Sequence, residues 1–125
     1  MQLTKNFHID EFESKDGAEM PEDVFENIGE LAENLQVIRN YVKAPIKVNS
    51  GYRSPSHNEA VGGVSDSQHV KGNAADIVIE KVVSKQLFDI IERMMDEGKI
   101  GQGGIGLYST FVHYDIRGHK VTWEG

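Results

Sequence analysis

Residues 65–76 read SDSQHVKGNAAD, and what this stretch does decides how the rest of the chain is read. His69 and Asp76 flank a bend in which Gly72 lets the backbone turn sharply, and Ala74 and Ala75 leave room for a crowded site. Two readings of the pair are open. One is a loop clasp in which imidazole and carboxylate hydrogen-bond each other. The other is two arms of a metal site, which needs a third ligand elsewhere. The chain contains no cysteine, so that ligand has to be His or a carboxylate.

Outward from the bend, the pattern alternates between helix and strand. AADIVIE (74–80) is apolar enough to lie inside a sheet, and APIKVNSGYR (44–53) places Ile46 and Val48 on one face of a short strand. Between them, Ser54 and Pro55 predict the cap and first residue of a short helix that ends before Gly62 and Gly63. Pro21, Glu22 and Asp23 form a helix start, and Val24, Phe25, Ile28, Leu31, Leu35, Ile38 and Val42 recur at helical spacing, predicting a helix over Pro21–Val42. The preceding residues, with Phe7 and Phe12, read as an irregular segment folded back on the body. Ser84 is expected to cap a helix carrying Leu87, Ile90, Ile91 and Met94 that stops at Gly98. GIGLY (104–108), FVHYDIR (111–117) and HKVTW (119–123) then read as strands. The expected fold is α+β, a small antiparallel sheet with flanking helices, in one domain over residues 1–125.

FVHYDIR supplies the candidate third ligand. Strand alternation puts Val112, Tyr114 and Ile116 on a core face, and Phe111, His113, Asp115 and Arg117 on the other. His113 then stands in reach of a neighbouring strand. Three protein ligands leave the fourth position of a zinc ion open for water, the arrangement of a catalytic site.

SQHVKGNAAD (67–76) fits the pattern S-x-H-x-x-G-x-A-x-D, with Ser67, His69, Gly72, Ala74 and Asp76 at its fixed positions. In this it resembles the zinc D-alanyl-D-alanine carboxypeptidases and related endopeptidases. VNSGYRS (48–54) is similar to that family's strand-end segment with its site arginine, here Arg53, and FVHYDIRG (111–118) to the strand that supplies its last zinc-binding histidine. FHIDEFESKDG (7–17), LAENLQVIRN (31–40) and GGIGLY (103–108) extend the similarity over most of the chain. It looks most like the short single-domain members, bacterial or phage, that act on peptidoglycan, and the resemblance implies the fold shared with the hedgehog signalling domains.

What the resemblance implies is Zn²⁺ held by His69, Asp76 and His113, with hydrolysis of a peptide bond in peptidoglycan stem peptides or cross-links. Arg53 is expected to stabilise negative charge on the carbonyl oxygen or to hold a substrate carboxylate, against the alternative of a salt bridge at a strand end. Ser67 is expected either to bond substrate or to stabilise the turn. Many members carry Glu or Asp as general base three residues before the last histidine, where this chain has Thr110. Asp115 is the nearest acid on the same strand face, with two open roles: the base itself, or the carboxylate that orients His113. His57 could join the site or bond a helix end, and Tyr52, Tyr108 and Tyr114 are either substrate-facing hydroxyls or packing aromatics.

A net charge of -7 and the lack of a basic stripe argue against a nucleic-acid module. No apolar run reaches membrane-spanning length, so no membrane partner is expected, and the fold is expected to work as a monomer. MQLTKNFHIDEF (1–12) has no secretory apolar segment, so the expectation is synthesis in the cytoplasm and action on the cell wall by phage lysis or another delivery route. The competing class is a metal-stabilised binding domain of the same fold without hydrolytic activity.

Overall fold

The helical spacing of Val24, Ile28, Leu31, Leu35 and Ile38 becomes the buried face of one helix, α1 (Glu22–Val42), in the computed structural model, which describes residues 1–125. Pro21 is its N-cap, Glu22 and Asp23 lie in the first turn at the positive end of the helix dipole, and Lys43 ends it in a left-handed conformation. Each of these buried side chains contributes about 1.5–3 kcal/mol, and Leu31→Ala would cost about 2–5 kcal/mol. Before α1, Phe7 and Phe12 join the core, and Ile9–Phe12 forms a 3₁₀ turn.

The sheet has five strands: β1 (Lys47–Ser50), β2 (Ala74–Val78), β3 (Gly104–Leu107), β4 (Val112–Asp115) and β5 (Val121–Glu124), in the order β1-β2-β4-β3-β5. It is mixed rather than wholly antiparallel, because β5 runs parallel to β3. Both edges of β4 are already taken by β2 and β3. The chain that reverses after β4 therefore pairs on the free edge of β3, which already runs opposite to β4.

The short helix α2 (Pro55–Ala60) begins as expected, with the Ser54 hydroxyl accepting from His57 N–H. Helix α3 (Ser84–Asp96) differs by one residue at its start. Val83 is the N-cap, Ser84 is the first helical residue and no side chain caps the helix. Its stability comes instead from Leu87, Ile91, Met94 and Met95, buried on one face.

These apolar faces meet Ile77, Ile105, Val112 and Tyr114 in one continuous core. The alternate residues of the strands point the other way, and one row crosses all five strands on that opposite face. Ser50 pairs with Asp76, Asp76 with His113, His113 with Gly106, and Gly106 with Trp123. A register shift between Val48 and Ser50 brings Ser50, rather than Asn49, opposite Asp76.

Candidate metal centre

The bend that carries His69 is held by its own backbone and by the strand end beside it. Ser67 Oγ accepts from His69 N–H at 3.1 Å, and the His69 carbonyl accepts from Arg53 N–H at 3.1 Å. Gly72 has φ +78°, and a Cβ there would meet the Val24 carbonyl oxygen at 2.8 Å, so both the turn and the packing on α1 require glycine. Strand end and N-terminal segment are equally close. Tyr52 N–H donates to the Phe12 carbonyl at 2.8 Å, and a Cβ on Gly51 would lie 2.7 Å from Phe12 Cα.

His69, Asp76 and His113 come together at this point, all buried, with one donor atom from each lying within 4.8 Å of the others. His69 Nε2 is 3.2 Å and His113 Nδ1 is 3.3 Å from the same oxygen, Asp76 Oδ1. The outer nitrogens are committed elsewhere. His69 Nδ1 is 2.7 Å from the Gly51 carbonyl oxygen and His113 Nε2 is 2.7 Å from Asp115 Oδ2, both pure acceptors. Those partners assign the ring protons to the outer positions, so each neutral imidazole turns a lone pair inward, toward a carboxylate oxygen. Three acceptors converging in a buried space make a donor set that a divalent cation fits.

In the metal-free form the same contacts instead favour charge on Asp76 and on His113. Burial would raise the Asp76 carboxyl, but hydrogen bonds from His113 and His69 outweigh it and hold the group far below the usual carboxylate range. Burial likewise opposes charge on His113, and its bonds to Asp115 and Asp76 override that and raise it. A cation held by the three residues would displace the proton that these contacts favour on His113.

The sequence matches the family described as Peptidase M15 over residues 3–115. The chain belongs to the peptidase M15 family. It is also 48% identical over 44 residues to a "Zinc D-Ala-D-Ala carboxypeptidase" of Streptomyces albus G. That stretch is 34% of this chain and only 17% of the relative, far less than two thirds of its length.

Around His69, Asp76 and His113 runs a cleft of about 600 Å³, lined among others by Arg53, Ser67, Asp66, Tyr108, Phe111 and Trp123. The Arg53 side chain, 18% exposed, donates to Ser50 Oγ at 3.3 Å, Asn58 Oδ1 at 3.3 Å and Asp76 Oδ2 at 3.4 Å. These long contacts aim the guanidinium into the cleft without using up its donors. Asn58 has no distinguishing sequence context, yet it is buried and bonds both Arg53 and the Val64 carbonyl, tying the arginine to the Gly62–Gly63 loop. A Cβ on Gly63 would lie 2.1 Å from Asn58 Oδ1, so the loop closes tightly over the amide. His57, its neighbour, takes part through its backbone as part of the α2 cap and does not line the cleft.

Asp115 lies behind His113, not in the cleft. It is fully buried, and its oxygens accept from His113 Nε2, Gly104 N–H, and the Arg117 N–H, Nε and Nη2. Burial would raise its carboxyl, but the bonds from His113, Arg117 and Gly104 hold it far below the usual range. Asp66, a loop residue with no distinguishing sequence motif, is the other carboxylate lining the cleft besides Asp76; it is exposed and joins no ion pair of the fold. Thr110 is exposed in the turn before β4. Of the tyrosines, Tyr52 and Tyr114 are core residues, and Tyr108 lines the cleft, stacked on Phe111 at 4.5 Å.

Proposed function

We propose that this chain is a zinc-dependent peptidase that cleaves peptide bonds of peptidoglycan stem peptides or cross-links, of the D-alanyl-D-alanine type. The observation that carries the reading is the inward-facing donor set of His69, Asp76 and His113, in a chain that belongs to the peptidase M15 family. The name of the Streptomyces albus G relative supports both the metal and the bond type. Zinc held by these residues would polarise the scissile carbonyl and make its bound water acidic enough to be a nucleophile near neutral pH.

The remaining work belongs to the chain's own residues. Arg53, fixed by Ser50, Asn58 and Asp76, presents free N–H groups to a carbonyl oxygen gaining charge or to a terminal carboxylate. Ser67 holds the His69 turn through its hydroxyl. Asp115 acts as a positioning residue: with five donors on its two oxygens and its acidity strengthened, it has no lone pair for a substrate proton. The proton acceptor is then Asp66, the exposed cleft carboxylate. The monomer is the working form in this reading.

One observation favours a second reading, a metal-stabilised binding domain without hydrolysis: Thr110 occupies the position where the family places its acid. Zinc-loaded protein incubated with purified peptidoglycan and with synthetic stem peptides separates the two. New amino or carboxyl termini, lost on chelation and restored by zinc, support the peptidase. Binding to the polymer with no new termini would leave only the binding domain. Release of free D-alanine from a pentapeptide, against opening of cross-links, distinguishes carboxypeptidase from endopeptidase.

A further inference from the structure

Trp123 ends the row of residues that carries the metal ligands, and it lies beyond residues 3–115, the part of the chain that matches the family. Its register partner on β3 is Gly106, which on its other side pairs with His113. Gly106 has no side chain, so the indole lies across it and reaches the imidazole, with ring centroids 5.0 Å apart and planes tilted by 52°. A Cβ on Gly106 would fall 2.6 Å from the indole Cε2 and Nε1, and one on Gly104 would fall 2.9 Å from Cζ3. Gly104 and Gly106 therefore form a floor that the indole covers.

Two contacts hold the indole there. Its Nε1–H donates to Tyr108 Oη at 3.0 Å, and the Arg117 guanidinium lies 5.4 Å over its ring. Arg117 is also the forked partner of Asp115, and Asp115 bonds His113 Nε2. Contacts thus close in a circuit from Trp123 through Arg117 and Asp115 to His113 and back to Trp123.

An imidazole on a strand keeps two soft torsions, and a ligand needs both fixed. Asp115 restrains one edge of the His113 ring through Nε2, and the His69 ring packs against it edge-on at 5.2 Å. On the β3 side Gly106 offers nothing, so the indole is what stops the ring swinging away from Asp76. We propose that Trp123 is a positioning residue for His113, and that the C-terminal strand β5 thereby completes the metal centre. This inference rests on the reading that zinc binds at His69, Asp76 and His113.

The test compares Trp123→Ala, Trp123→Leu and Trp123→Phe with the unaltered chain. Zinc affinity is measured by competition with a chromophoric chelator, and folding of the metal-free proteins by circular dichroism and thermal midpoint. The expected result is zinc binding about 10–100-fold weaker in the Ala and Leu variants, with Phe, which keeps a flat ring against His113, restoring most of it. A role in packing alone would lower the metal-free midpoint and leave the affinity of the folded protein unchanged. Should the Ala variant not fold, the Leu and Phe pair decides: equal zinc affinity in those two overturns the inference. Trp123 is the only tryptophan, so its emission gives an independent readout, with cobalt(II) expected to quench it in the unaltered chain and not in Asp76→Ala. If the unaltered chain takes up no zinc and shows no quenching, the reading of the site falls and this inference with it. Tight zinc in the unaltered chain and in every variant sinks this inference alone.

Discussion

His113 and Asp115 stand two residues apart on β4 and bond each other at 2.7 Å between Nε2 and Oδ2, which fixes the nitrogen that His113 turns toward Asp76. In the proposed reading a carboxylate in that position tunes a ligand and does not meet substrate. Asp115→Asn is expected to weaken zinc binding about 10–100-fold while most hydrolysis survives at saturating zinc. Chelator competition and a peptide-cleavage assay on the same preparation measure the two effects. Full zinc affinity with abolished hydrolysis would instead make Asp115 the base.

Asp66 gives the complementary result if it accepts the proton. Asp66→Asn should leave zinc affinity and thermal midpoint as they are, since the side chain is exposed and supports no ion pair of the fold. Hydrolysis should fall about 10²–10⁴-fold, seen in kcat. An undiminished rate would remove Asp66 from the mechanism.

Arg53 reaches into the cleft with donors to spare, so its replacement should separate binding from metal retention. Arg53→Lys keeps a charge but loses the fork that meets Asn58 and Asp76 together. We expect kcat/KM to fall about 10²–10³-fold with zinc content unchanged by elemental analysis. A rise in KM alone would assign Arg53 to the substrate carboxylate, and a fall in kcat alone would assign it to the developing oxyanion.

Period and spacing make much of this legible in the sequence. The apolar rhythm of α1, the alternation of FVHYDIR and the Ser54–Pro55 start all express local rules, and each element formed where the rule placed it. The bend that joins His69 to Asp76 was readable because glycine and alanine there answer a steric need. What escaped depends on register between distant strands. Nothing local tells that β5 pairs with β3, so neither the parallel pairing nor the approach of Trp123 to His113 could be read. Asn58 and Asp66 escaped for a similar reason: a polar residue in a loop looks the same whether it faces solvent or a cleft. Nor does alternation tell how deeply Asp115 is buried, since that depends on Arg117 and Gly104 closing over it.

Gly106 links that register to stability. Gly106→Ala would put a Cβ 2.6 Å from the indole of Trp123, which is bounded by Tyr108 and Arg117 and cannot simply slide aside. The substitution should destabilise the fold by about 1–3 kcal/mol in urea unfolding and shift the emission of Trp123. Unaltered stability and emission would mean that the indole is free to move off the β3 floor.

Asp16 ties the N-terminal segment to the strand end that carries Arg53, accepting from Ser14 Oγ at 2.7 Å, Ala18 N–H at 3.1 Å and Ser54 Oγ at 2.6 Å. The Ser14 and Ser54 hydroxyls, followed by the Ala18 amide, lower its carboxyl to about 2 from an ordinary 3.8. A depressed carboxyl stabilises the fold fully above its unfolded value and loses that contribution as pH falls through the folded one. The stability gap between the unaltered chain and Asp16→Asn should therefore be constant from about pH 7 to pH 5, then narrow between about pH 4 and pH 2. Urea unfolding across that range measures it, and taking the difference between the two proteins cancels the other acids that titrate there. A gap that stayed constant down to about pH 3 would show that the charge of Asp16 contributes nothing to the stability of the fold.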